Sequence, residues 1–304
     1  MVNILKNCTL CPRNCNINRY QTIGFCQANH KVKVSLAKLF FYEEPPISGI
    51  NGSGTIFFTN CNLKCCFCQN NEISNNGKGL EITIKRLSEI MLELQEKNAH
   101  NINLVTPTMY VPQIIKAVKK AKKKGLVIPI IYNTSGYETV DTIKSLEGII
   151  DVYLPDFKYF DNDIAIKYSN ADNYFHYAKE ALAEMFRQTG PCIFDDNEII
   201  QKGVIVRHLM LPNHENDTKK ILEYLYKTYH DSIYISIMNQ YTPMKNIKFD
   251  ELKKPVQKKE YENIIYYAIE LGIKNAFCQE NETVSESFIP NFNFDGIKKQ
   301  TSKN

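Results

Sequence analysis

The stretch "TIFFTNCNLKCCFCQN", residues 55–70, runs from an apolar segment straight into four cysteines within eight positions. "TIFFT" (55–59) reads as a buried strand, so the cysteines sit on the loop that leaves its C-terminal end. Cys61, Cys65 and Cys68 have the spacing C-x3-C-x2-C, whereas Cys66 is beside Cys65 and faces away from anything Cys65 grips. That makes three ligands and one bystander. A structural zinc site takes four ligands, and an electron-transfer iron–sulfur cluster also takes four cysteines. Three thiolates instead leave one iron of a four-iron cluster open.

Outward from this loop, short apolar runs alternate with amphipathic ones. Strands are expected at 55–59, 101–107, 126–135, 150–158, 203–211 and 232–238, and helices at 82–97, 110–124, 138–147, 172–189, 216–230 and 256–271. In 82–97 the inward residues are Leu87, Ile90, Met91 and Leu94. Such regular alternation means parallel strands joined by right-handed crossovers. Periodicity alone leaves an open doubly wound sheet and an incomplete barrel as equal alternatives. In either, residues at strand C-terminal ends line the site. Those ends carry Asn60 and Cys61, Thr106, Asn133 and Ser135, Asp156 and Lys158, Arg207, and Asn239 with Gln240.

Residues 1–50 break the alternation and carry their own cysteines, with "EEPPISGINGSG" (43–54) as a Pro/Gly-rich connector, and are expected to form a small cysteine-rich, metal-binding N-terminal subdomain. Residues 291–304 read as a polar, frayed tail. The 304 residues are 43% hydrophobic, enough for a packed core. No run approaches a membrane span and the N-terminus lacks a targeting pattern, so a cytoplasmic protein without membrane contact is expected. Ten cysteines there are expected to be reduced, and the tight clustering of eight of them argues for metal over disulfides. The net charge of +4 is mild, and the basic run 116–125 reads as a solvated helix face rather than a nucleic-acid surface.

An open iron on a low-potential cluster can bind S-adenosylmethionine through its amino and carboxylate groups. One electron passed to the sulfonium then yields a 5′-deoxyadenosyl radical that abstracts hydrogen. Phe67 is aromatic where such a loop lies against adenine. Cys61, Cys65 and Cys68 with Phe67 resemble the radical S-adenosylmethionine signature. With "CPRNCNINR", "EEPPISGINGSGTIFFTNCNLKCCFCQNNEIS", "NINLVTPT", "IYNTSGY", "DVYLPDFKY", "EMFRQTG", "GVIVRHLMLP" and "IMNQYTP", the chain resembles the pyruvate formate-lyase activating enzyme-like branch over nearly its whole length.

The resemblance implies an α/β fold with an incomplete (β/α)6 TIM-type barrel, here spanning 51–290. It implies a [4Fe–4S] cluster and S-adenosylmethionine as cofactors, an electron donor such as flavodoxin or ferredoxin, and hydrogen abstraction from a substrate, either a glycyl residue of a protein partner or a peptide or small molecule. By position, Thr106 meets the methionyl amine, and Asp156, Lys158 and Arg207 lie around ribose and carboxylate, with Asn133 and Ser135 beside them. Arg and Lys suit a carboxylate and Asp suits ribose hydroxyls; the plain alternative is that Asp156 and Lys158 pair with each other. Activating enzymes usually show Gly-Gly-Glu where this chain has "VTPT", and relatives often have His where it has Met109.

Cys8, Cys11, Cys15 and Cys26 follow C-x2-C-x3-C-x10-C. A structural zinc and an auxiliary iron–sulfur cluster both fit four thiolates. Cys192 and Cys278 are isolated and read as inert thiols, although Cys278 follows an apolar run that could carry it to a pocket mouth. His208 and His214 flank the fifth strand's end and read as plain polar residues. A different class of reading remains: a non-catalytic metal-binding or redox-sensing protein.

Overall fold

The structure is a computed structural model that describes residues 4–244, 247–279 and 290–299. Among the described residues ten strands form one sheet: β1 (Val32–Phe40), β2 (Ser53–Phe58), β3 (Leu80–Ile82), β4 (Ile102–Val105), β5 (Ile130–Thr134), β6 (Val152–Pro155), β7 (Ile193–Phe194), β8 (Ile200–Leu209), β9 (Tyr234–Met238) and β10 (Ala276–Cys278). Their spatial order is β10-β9-β8-β6-β5-β4-β2-β1-β3, with β7 beside β8. From β2 to β10 that path is parallel throughout, while β1, β3 and β7 add antiparallel pairs. The sheet ends at β10 and β3 without closing. The helices are α1 (Pro45–Ser48), α2 (Asn71–Ser74), α3 (Ile84–Glu96), α4 (Val111–Lys122), α5 (Val140–Lys144), α6 (Asn162–Ser169), α7 (Tyr174–Thr189), α8 (Glu215–Tyr229) and α9 (Lys258–Leu271).

The parallel strands are apolar because helices and barrel interior bury both their faces; β2, β4, β5 and β6 are buried at every position. Helix α3 is capped by Thr83, whose side chain accepts from the Arg86 amide, and buries Leu87, Ile90, Met91 and Leu94 as one stripe. Helix α4 likewise buries Ile114, Ala117, Val118 and Ala121, leaving its lysines outside. Alternation along each strand then fixes what faces inward: Asn103 and Val105, Ile131 and Asn133, Leu154 and Asp156, Ile205 and Arg207. The barrel floor is a small apolar cluster of Ile131, Val152, Leu154, Ile200 and Ile205, into which α1 inserts Ile47. Above it the inward positions turn polar, and that change of layer positions the site.

The six expected strands appear as β2, β4, β5, β6, β8 and β9. Strand β1, inside the expected N-terminal segment, is an integral antiparallel neighbour of β2. The C-terminal segment differs from the frayed tail expected. Over residues 290–299 it docks on β1: Phe294 and Ala37 exchange backbone bonds with Ser35 and Asp295 there. Phe292 and Ile297 are buried, and Arg86 donates to the carbonyls of Gly296 and Ile297. Gly296 has φ of +71° and lies so close to Ala37 that a Cβ would strike its carbonyl oxygen. Two apolar anchors and one glycine outweigh the polar composition of the segment.

Candidate active site

At the top of β2 the chain turns sharply, with Asn60 in the left-handed region (φ +72°) and its amide bonded to the Ile73 carbonyl at 2.8 Å. The loop that follows places Cys61, Cys65 and Cys68 on one cavity of about 250 Å³ at the C-terminal ends of the strands. Each sulfur meets a donor: the Leu63 amide at 3.3 Å from Cys61 Sγ, Ser169 Oγ at 2.9 Å from Cys65 Sγ, and Ser74 Oγ at 3.1 Å from Cys68 Sγ. Cys66 does not line the cavity; its amide donates to the Tyr168 carbonyl, and its neighbours are Glu251 and Tyr241. Burial pushes the Cys61 thiol up to about 12, with the neighbouring Cys65 adding to it. A thiolate there therefore depends on a bound cation.

Phe67, Thr106, Asn133, Ser135, Asp156, Lys158 and Arg207 line the same cavity as the three cysteines. Thr106 stands just past β4 with φ of +57°, a costly conformation for a β-branched residue, fixed by its amide bond to the Asn133 carbonyl. Asp156 is held between strands, its amide on the Thr134 carbonyl and the next amide on the Arg207 carbonyl. Gly136 (φ +77°) lets the loop after β5 come close, since a Cβ would lie 2.2 Å from the Asp156 carbonyl oxygen. Phe67 packs edge-on to Tyr241 at 6.0 Å.

The charges form one network. Lys158 Nζ pairs with Asp156 Oδ2 at 2.8 Å, so the simple pairing of these two does occur, and Arg207 Nε lies 3.4 Å from Asp156 Oδ1. Arg207 also donates to Glu43 Oε2 at 2.8 Å and to Asn133 Oδ1 at 2.5 Å. Burial opposes the Lys158 charge, but Asp156 and Cys65 outweigh it and hold the ammonium up to about 12. Glu43 was not among the residues the sequence singled out. It reaches the cavity from the connector before α1, accepts from Asn103 Nδ2 as well, and is raised by burial against the opposing pull of Arg207. Its only sequence signal is the acidic pair preceding Pro45 and Pro46. The sequence reading also missed the apolar part of the lining, formed by Phe40, Phe57, Ile73, Val105, Leu209 and Met238.

Beneath the rim lies Glu138, fully buried, whose Oε1 accepts from Thr108 and Thr134, both at 2.5 Å, and from Tyr132 at 3.2 Å. Burial raises its carboxyl to about 7 despite these donors. His208 and His214 lie off the cavity: His208 is sandwiched between the Phe157 carbonyl and Thr218 and driven down to about 4 by burial, and His214 contacts Tyr168. Cys278 is exposed on β10 and does not reach the cavity mouth, and Cys192 bonds to the Val204 carbonyl.

Cys8, Cys11, Cys15 and Cys26 line a second, smaller cavity together with Arg13 and Arg19. Among the described residues no three His, Cys, Asp or Glu side chains converge closely enough to hold a single metal ion, here or at Cys61, Cys65 and Cys68.

Residues 55–225 match the model of the Radical SAM superfamily. An uncharacterized protein of Methanocaldococcus jannaschii is 30% identical over 282 residues, covering 86% of this chain and 77% of that one. Among solved structures, the FeFe-hydrogenase maturase HydG of Carboxydothermus hydrogenoformans superposes with a TM-score of 0.52 at 11% identity, over 74% of this chain and 52% of that one. Streptococcus suis SuiB bound to its precursor peptide SuiA gives 0.51 at 13% identity, over 73% and 47%. At these identities the likeness is one of fold, and it identifies the open sheet as a partial barrel of the TIM type. The chain spans about half the length of these two solved proteins.

Proposed function

Because the chain belongs to the radical SAM superfamily, we propose that Cys61, Cys65 and Cys68 hold a four-iron cluster and that the cavity above them takes S-adenosylmethionine and a second substrate. The observation that carries this reading is convergence: three cysteines and Phe67 from one loop and six polar residues at or near the ends of four strands all line one cavity. When bound, cluster and S-adenosylmethionine together supply a 5′-deoxyadenosyl radical that removes a hydrogen atom from the substrate. The chain's own task is to bind, orient and exclude water.

Ser169 donates to Cys65, which favours its thiolate form, and Ser74 Oγ stands 3.1 Å from Cys68 Sγ, where it can donate once that sulfur is a thiolate. Lys158 and Arg207 pair with the methionyl carboxylate, Asp156 accepts from the ribose hydroxyls, and Thr106 with Asn133 and Ser135 faces the amine and its surroundings. Binding thus exchanges the Lys158–Asp156 pair for contacts to the ligand, while Glu43 and Asn133 keep the Arg207 guanidinium in place. Phe67 supplies the apolar face for adenine. The wall of Phe40, Phe57, Ile73 and Val105 borders the remaining space, where the substrate sits.

A glycyl residue of a protein partner, a peptide and a small molecule all remain substrates in this reading. SuiB, which shares the fold, binds a precursor peptide, which supports the second of them. Flavodoxin or ferredoxin is the proposed electron source. Residues 1–50 act as a cysteine-rich arm whose four thiols hold a second metal centre, 51–290 as the barrel, and 291–304 as a polar C-terminal tail. Among the described residues no helix is long and apolar enough to cross a membrane, in keeping with a cytoplasmic site of action.

The test is release of 5′-deoxyadenosine by anaerobically purified, cluster-loaded protein given dithionite and S-adenosylmethionine, with Cys65→Ala as control. Release by the wild type alone is the expected result. Zinc without iron in both proteins, and no release, would favour a binding protein without turnover.

A further inference from the structure

Resting on the reading of Cys61, Cys65 and Cys68 as the ligands of a four-iron cluster, we propose that Tyr159 and Ser169 are positioning residues, a relay of two hydroxyls that holds Cys65 and raises the reduction potential of the cluster. Ser169 Oγ donates to Cys65 Sγ at 2.9 Å, and Tyr159 Oη lies 2.5 Å from Ser169 Oγ. A serine hydroxyl carries a single hydrogen. Donation to Cys65 therefore leaves Ser169 only an acceptor toward Tyr159, so the phenol is the donor and both hydroxyl hydrogens point along the chain toward the sulfur.

Burial gives the relay its strength. Tyr159 and Ser169 are both fully buried, and the Tyr159 ring is wedged edge-on against Tyr174 at 5.3 Å, which fixes where the phenol points. In such surroundings each hydrogen bond polarises the next, so a Ser169 hydroxyl that accepts from Tyr159 is a stronger donor to Cys65 than a lone serine. Reduction adds a negative charge to a cluster, and donors to its ligand sulfurs favour that more negative form. The relay thereby eases the entry of the electron on which the proposed chemistry depends.

The backbone makes the same connection. Helix α6 ends at Ser169, and the last carbonyls of a helix have no partner within it. Two of them accept amides of the cysteine loop: the Ser169 carbonyl from Lys64 at 3.2 Å and the Tyr168 carbonyl from Cys66 at 2.8 Å. Those two residues flank Cys65, so the end of α6 holds this ligand by main chain and side chain together. The helix is fixed at both ends, with Asp161 capping its first amides and Asn170 (φ +51°) turning the chain out of it. Its short, weakly amphipathic sequence is thus explained by what its last turn carries.

The experiment uses the full chain, purified without oxygen and reconstituted with ferrous iron and sulfide. The electron paramagnetic resonance signal that changes when S-adenosylmethionine is added marks the cluster of Cys61, Cys65 and Cys68, and its midpoint potential is titrated in the absence of S-adenosylmethionine. Wild type, Ser169→Ala, Tyr159→Phe and the double variant are compared. The expected result is a lower midpoint in Ser169→Ala, a smaller lowering in Tyr159→Phe, and a double variant equal to Ser169→Ala alone, because Tyr159 acts only through Ser169. An unmoved midpoint in Ser169→Ala, or shifts that add in the double variant, would overturn the proposal.

Should Ser169→Ala fail to fold or to hold iron, Tyr159→Phe decides alone, since it keeps the ring and removes only the hydroxyl. A lowered midpoint in that variant supports the relay and an unmoved one overturns it. Failure of the radical reading itself would show separately, as a wild type in which no cluster signal responds to S-adenosylmethionine.

Discussion

Arg207→Leu removes the hub of the charged network in the cavity. The guanidinium makes two short charged hydrogen bonds, to Glu43 at 2.8 Å and Asn133 at 2.5 Å, and lies 3.4 Å from Asp156. Its side chain is 15% exposed and that of Glu43 8%. Removing one partner of so buried a pair leaves the other uncompensated, so the expected loss is about 3–5 kcal/mol of unfolding free energy. An exposed pair would lose only about 0–1 kcal/mol.

The loss is also expected to depend on pH. Burial already raises the Glu43 carboxyl above its ordinary 4.5, and Arg207 opposes that rise. Without Arg207 the folded chain binds a proton at Glu43 that the unfolded chain has released, so stability falls as pH rises from about 4.5 through the raised value. The penalty of the variant should therefore be smaller near pH 5 than near pH 7.5. Urea titrations of metal-free wild type and variant under reducing conditions measure both effects. A loss below about 1 kcal/mol, equal at the two pH values, would refute the reasoning.

Further expectations follow from single residues. Cys66→Ala should keep wild-type iron content and 5′-deoxyadenosine release, because the side chain points away from the cavity; iron loss would make Cys66 a ligand. Phe292→Ala should cost about 3–5 kcal/mol in chemical denaturation, since the ring is 2% exposed and packs edge-on to Phe57 at 5.6 Å; a neutral result would mean that the C-terminal segment is not docked. His208 is neutral when folded, lowered by burial from 6.5 to about 4, so the wild type should lose stability as pH falls across that window. The loss amounts to about 3 kcal/mol more than in His208→Gln, and parallel pH profiles of the two proteins would rule this out.

The central parallel strands were legible because burial on both faces makes them continuous apolar runs, and the helices between them because one face alone is apolar. What escaped notice was held by long-range packing. Strand β10 has three residues and exists through pairing with β9. Helix α6 begins at Asp161, whose side chain caps two amides, yet its sequence "NDIAIKYS" has little apolar periodicity. Strand β1 alternates as strands do, but the cysteines before it drew it into a separate arm. The cysteine spacing was legible since a single loop presents all three thiols. Glu43 was not, since its partner Arg207 lies 164 residues away and nothing local marks the pair. Strand ends were identifiable as a polar rim, though not the apolar lining of Phe40, Phe57 and Val105, which reads in sequence as ordinary core.

The most direct test of the account is the electron paramagnetic resonance spectrum of the reduced Cys11→Ser, Cys15→Ser protein, recorded with and without S-adenosylmethionine. A cluster held by Cys61, Cys65 and Cys68 has an open iron, so the account predicts that S-adenosylmethionine changes the spectrum and that Lys158→Met weakens the change. A fully loaded cluster whose spectrum is identical in the presence of S-adenosylmethionine would contradict it.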